Sequence, residues 1–73
     1  MIFQLKQETT INADGTVTVT LTPNHTDLEK YVSCSTEFAT FEEANANKDQ
    51  FAADNIEIMF NQIPEDLRVN FEL

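Results

Sequence analysis

Three stretches of the chain alternate apolar and polar residues with a period of two. In residues 2–11, IFQLKQETTI, the odd positions Phe3, Leu5, Thr9 and Ile11 share one face, while Gln4, Lys6, Glu8 and Thr10 share the other. That is the pattern of a half-buried strand. Residues 16–22, TVTVTLT, repeat it with Val17, Val19 and Leu21. The linker between them decides the register. A two-residue Asp14-Gly15 turn would set Ile11 opposite Thr18 and throw the two apolar sets onto opposite faces. A three-residue Ala13-Asp14-Gly15 loop instead pairs Ile11 with Val17 and Thr9 with Val19. It requires a type I turn that starts at Asn12 and is closed by Gly15, the only glycine, in the left-handed region. The three-residue loop is predicted.

Pro23 ends the second strand, and Thr26 with Glu29 three residues later predicts a short helical turn opened by a capping box. Residues 31–38, YVSCSTEF, then alternate again, with Val32, Cys34, Thr36 and Phe38 on one side, and predict a third strand. Thr40 and Glu43 form a second capping box ahead of a longer helix. On a wheel of about 100° per residue, Phe41, Ala44, Phe51, Ala52, Ile56, Met59 and Ile63 make one broad apolar face. Glu43, Gln50, Asp54, Glu57 and Asn61 collect opposite. Asp54-Asn55 is a weak helical spot and IEIMF reads alternatively as a strand, but one helix to about Ile63 is preferred, with Pro64 enforcing the stop. Leu67, Val69, Phe71 and Leu73 alternate and predict a closing strand. The expected fold is α+β in the order β-β-β-α-β, an antiparallel sheet of about four strands with one long helix packed on one face, forming a single domain over residues 1–73.

Composition sharpens this reading. The 73 residues are 41% apolar with six Phe, the balance of a folded globule rather than an acidic tail. A chain this short buries only about 60% of the surface its unfolded form exposes, so its margin of stability is thin. The lone Cys34 forms no internal disulfide, and a buried, inert thiol is expected. No stretch approaches the ~20 apolar residues that span a bilayer, and the amino-terminal residues do not read as a secretion signal. A cytoplasmic location is expected.

Thirteen acids against four bases give a net charge of −9, which disfavours direct contact with nucleic acid or an anionic membrane. Residues 37–73 hold nine of the thirteen acids and only Lys48 and Arg68 as bases. Candidate chemistry is sparse. His25 lies beside Thr26 and Asp27 in a loop and is expected to face solvent, since no nucleophile and oxyanion site converge with it in the sequence pattern. Glu42-Glu43 and Glu65-Asp66 are poor metal ligands, because adjacent helical carboxylates point about 100° apart and the alternating acid pattern of a calcium loop is missing. No cofactor and no metal are expected. What remains is the helix: about 22 residues span ~33 Å and present a row of carboxylates. Glu43, Asp54 and Glu57 share its outer face, and Glu42 and Asp49 lie at its flank, nearer the sheet.

The segment IPEDLRVNFEL resembles the end of a small phage type I-F anti-CRISPR protein, on Ile63, Pro64, Glu65, Leu67, Arg68 and Val69, and TVTVT resembles that family's first strand. The resemblance implies a phage-encoded inhibitor that binds a protein target, and it carries no functional residue with it. The leading expectation is therefore a non-enzymatic interaction protein whose Glu43, Asp54, Glu57, Glu42 and Asp49 meet a basic, nucleic-acid-binding surface on a protein partner. The alternative is a phage or bacterial assembly accessory that forms homodimers or larger oligomers through its sheet edge or apolar surface.

Overall fold

The computed structural model describes residues 1–73 as β1 (Leu5–Ile11), β2 (Val17–Pro23), β3 (Cys34–Phe38), α1 (Phe41–Asn61) and α2 (Glu65–Arg68). The sheet is antiparallel in the order β1-β2-β3. The hairpin takes the register that the alternation demands, with Ile11 opposite Val17 and Thr9 opposite Val19. Asn12 N–H donates to Thr16 O at 2.8 Å, Gly15 N–H closes the turn onto Asn12 O at 3.0 Å, and Gly15 has φ 88°. A side chain there would meet no neighbour within 4 Å, so glycine is demanded by the backbone angle and not by space.

Val17, Val19 and Leu21 point every second side chain inward from the central strand and are fully buried. α1 covers that face in one unbroken run through Asp54-Asn55, where Asn55 Nδ2 donates to Phe51 O at 2.8 Å. Its start is set locally: Thr40 is extended, with φ −139°, and its Oγ1 accepts the Glu43 N–H at 3.1 Å. Two apolar clusters result. Phe3, Leu21, Leu28, Val32, Met59 and Ile63 fill the end of the sheet where the chain termini meet. Val17, Val19 and Ala44 fill the hairpin end, and Phe51 touches both clusters.

The expected fourth strand does not form, and the sheet has three. After Pro64, the N–H groups of Leu67 and Arg68 return to Pro64 O at 3.0 and 2.9 Å, making the short helix α2. Glu65 and Asp66 at its start and Arg68 at its end suit a helix dipole. Leu67 and Phe71, four residues apart, turn inward, whereas Val69 is 74% exposed. A helical turn thus buries part of the same alternation that suggested a strand. Strand-like pairing survives only as a parallel bridge between Ile2 and Glu72.

Other expectations fail for reasons of reach. Thr26 opens turns and no helix, and Glu29 pairs with Lys6. β3 begins at Cys34 rather than Tyr31. Ile11 and Phe41 belong to the apolar faces of their elements, yet both are largely exposed, Ile11 on the outer strand β1 and Phe41 in the first turn of α1.

Candidate functional site

Glu43, Asp54 and Glu57 were expected on the outer face of the helix with Glu42 and Asp49 at its flank, and the structure leaves all five exposed on α1. They are not brought to one point. Glu42 and Glu43 sit in the first turn, where carboxylates favour the positive end of the helix dipole. Asp54 Oδ1 accepts from Gln50 Nε2 at 2.6 Å, one turn back on the same face. Asp49 turns to the sheet, where its Oδ1 accepts from Gln7 Nε2 of β1 at 3.1 Å. Glu43, Asp54 and Glu57 therefore form an outer row along a helix about 32 Å long, and Asp49 belongs to the seam between helix and β1. The molecule's single ion pair, Lys6 Nζ to Glu29 Oε1 at 2.8 Å, lies away from this row. No base neutralises the row.

Two exposed groups have shifted titration. The hydrogen bond and charge of Glu29 raise Lys6 above the ordinary 10.5, with a smaller contribution from Glu8. Asp14 falls below the ordinary 3.8, because its carboxylate accepts from the Thr16 hydroxyl at 2.6 Å and from the Thr16 N–H at 3.0 Å. Both shifts stabilise local structure.

His25 was expected to face solvent, and it is half-buried. Its Nε2 accepts the Gln4 N–H at 3.2 Å, and its ring stacks on Phe3 at 6.1 Å and meets the edge of Phe71 at 4.6 Å. The imidazole thus ties the start of β1 to the carboxy-terminal segment, with one ring nitrogen committed to backbone. Cys34 is half-buried rather than buried, with its Sγ 3.7 Å from Asn55 Oδ1. No three His, Cys, Asp or Glu side chains converge on a point where a metal ion would fit. Glu65 and Asp66 form the first turn of α2.

Sequence reasoning missed one feature. A groove of about 350 Å³ runs between β1 and α1, lined by Phe3, Gln4, Leu5, Ala52, Ala53 and Ile56. Its depth comes from Ala52 and Ala53, whose small side chains leave a gap where the helix faces the outer strand. The paired alanines were the available signal, and their meaning depends on knowing that β1 is an edge. No helix is long and apolar enough to cross a membrane. Comparison with family models, curated proteins and solved structures returns no match for this chain.

Proposed function

We propose that the protein is a small acidic interaction protein, of the kind a phage encodes as an inhibitor, that binds a basic nucleic-acid-binding surface on another protein. The observation that carries this reading is the outer face of α1. Glu43, Asp54 and Glu57 are exposed along about four turns of helix without a neutralising base, in a chain of net charge −9. A row of fixed carboxylates speeds encounter with a positive groove and disfavours negatively charged competitors. The anti-CRISPR-like reading within that class rests on the TVTVT stretch and on Ile63, Pro64, Glu65, Leu67, Arg68 and Val69, which here build the end of the core and α2.

The test is retention of host proteins on the immobilised chain across a salt series, with duplex DNA and RNA as competitors. Retained proteins should elute as salt rises, be displaced by nucleic acid, and be lost when Glu43, Asp54 and Glu57 are together reversed to Lys. Retention indifferent to salt and to the reversals sinks the proposal.

A second reading, an accessory protein that oligomerises through its sheet edge, is favoured by a different observation. The outer side of β1 pairs with no strand.

A further inference from the structure

The exposed edge of β1 is self-complementary. Along β1 the even residues turn their N–H and C=O groups toward β2, as Asn12 N–H donating to Thr16 O and Asn24 N–H donating to Gln4 O show at the two ends of the hairpin. By the alternation of an antiparallel ladder, the N–H and C=O of Leu5, Gln7, Thr9 and Ile11 point outward. No turn, loop or cap hydrogen bond uses them. The side chains of these same residues lie on the face that α1 covers, as the Gln7 to Asp49 bond shows, and those of Lys6 and Glu8 lie on the opposite face.

We propose that β1 is a homodimer edge: two copies pair antiparallel through Leu5–Thr9 about a two-fold axis at Gln7, joining two three-stranded sheets into one of six strands. Charge selects this register. Centred on Gln7, Lys6 stands opposite the partner's Glu8, twice by symmetry. A register centred one residue earlier would put Lys6 opposite the partner's Lys6, and one residue later Glu8 opposite the partner's Glu8; like charges directly opposite are destabilising. A lysine on an edge strand ordinarily discourages pairing. Here Glu8, two residues along on the same face, offers a second, intermolecular carboxylate to a lysine that already pairs with its own Glu29 at 2.8 Å.

The interface is isologous, and beyond Thr9 it brings Ile11, 67% exposed at the hairpin end, up to the partner's carboxy-terminal residues. The ladder stops at Leu5, because the outward Phe3 N–H is already taken by Glu72 O at 2.7 Å. The axis is perpendicular to the sheet, so both α1 helices lie on one face and their acidic rows stand side by side.

This dimer gives the edge-pairing reading a definite register, and it is testable apart from the charged-face reading because it uses none of Glu43, Asp54 or Glu57. Sedimentation equilibrium from micromolar to millimolar chain should show a reversible monomer–dimer equilibrium. Glu8→Lys and Lys6→Glu, each alone, should weaken self-association about tenfold or more, since both symmetric pairs turn from attraction to repulsion. Mixing the two variants should restore association as a heterodimer. Gln7→Pro removes an outward N–H that the monomer does not use and should abolish the dimer, with circular dichroism confirming the retained fold. Association that survives Gln7→Pro and the charge variants overturns the β1 interface and leaves an oligomer built on another surface. A monomer at every concentration removes the dimer and the edge-pairing reading together, and leaves the salt-sensitive capture of basic proteins to decide the charged-face reading independently.

Discussion

Asp14 shows how much of this small fold is settled by single side chains. Its carboxylate holds the Thr16 hydroxyl and N–H across the hairpin turn, and those bonds depress its pKa below 3.8. A group with a depressed folded pKa contributes stability that is present above the unfolded value and drains away as pH falls through the folded one. Asp14→Asn should therefore lower the melting temperature near neutral pH, and thermal melts should show the gap between variant and parent closing as pH drops below 3.8. A constant gap at every pH would mean the charge is irrelevant there. His25 makes the opposite point. Its neighbours in sequence, Thr26 and Asp27, suggested an exposed acid-base candidate, but its partners are Gln4, Phe3 and Phe71, residues twenty or more positions away. Nothing local in the sequence signals that contact.

At the scale of elements, local chemistry was legible wherever an element is bounded by its own residues. The hairpin register follows from alternation together with Asn12 and Gly15, and the start of α1 follows from Thr40. Thr40→Ala should cost about 1 kcal/mol by removing the acceptor for the Glu43 N–H, measured as a lower urea midpoint at unchanged m-value; a loss of helical circular dichroism beyond the first turn would contradict a purely terminal role. The end of α1 is different. It has no basic residue in its last turn, and Arg68 Nη1 reaches back from α2 to Asn61 O at 3.3 Å. Residues 67–73 were expected as a strand, but Leu67 and Phe71 are spaced as one helical turn as well as a strand. The Pro64 carbonyl, accepting from Leu67 and Arg68, decides for the turn. Thr26 and Glu29 match a capping pattern without forming one, since Glu29 is drawn to Lys6 across 23 positions.

For the whole molecule, size and shape set the terms. The Cα radius of gyration is 13.2 Å with extents of 41 × 20 × 15 Å, against about 11 Å for a compact chain of this length. The elongation separates a fuller core near the chain termini from a thinner one at the hairpin end. Substitutions should report that asymmetry. Met59→Ala, at a side chain 1% exposed, should cost about 2–5 kcal/mol, a large part of the stability of a domain at the low end of the ~5–15 kcal/mol range. Phe41→Ala, at 53% exposure, should stay within roughly 0.5 kcal/mol. Denaturant unfolding of both variants checks this, and equal losses would show that the hairpin end is packed as firmly as the other. The same elongation leaves Ile11 uncovered and the outer side of β1 open.

The sequence by itself determined what depends on neighbours a few residues apart: the faces of β1, β2, β3 and α1, the three-residue turn, the helix start, and which acids share the outer row. Periodicity alone assigns a residue to a face, and short-range hydrogen bonds alone cap an element. Only the tertiary structure decided how far each face is covered. It left the carboxy-terminal alternation as a helical turn, drew His25 between two phenylalanines, stranded Ile11 and Phe41 beyond the core, and opened the Ala52-Ala53 groove beside an edge strand. Coverage depends on where a distant element ends, and that is a property of packing, which no local pattern encodes.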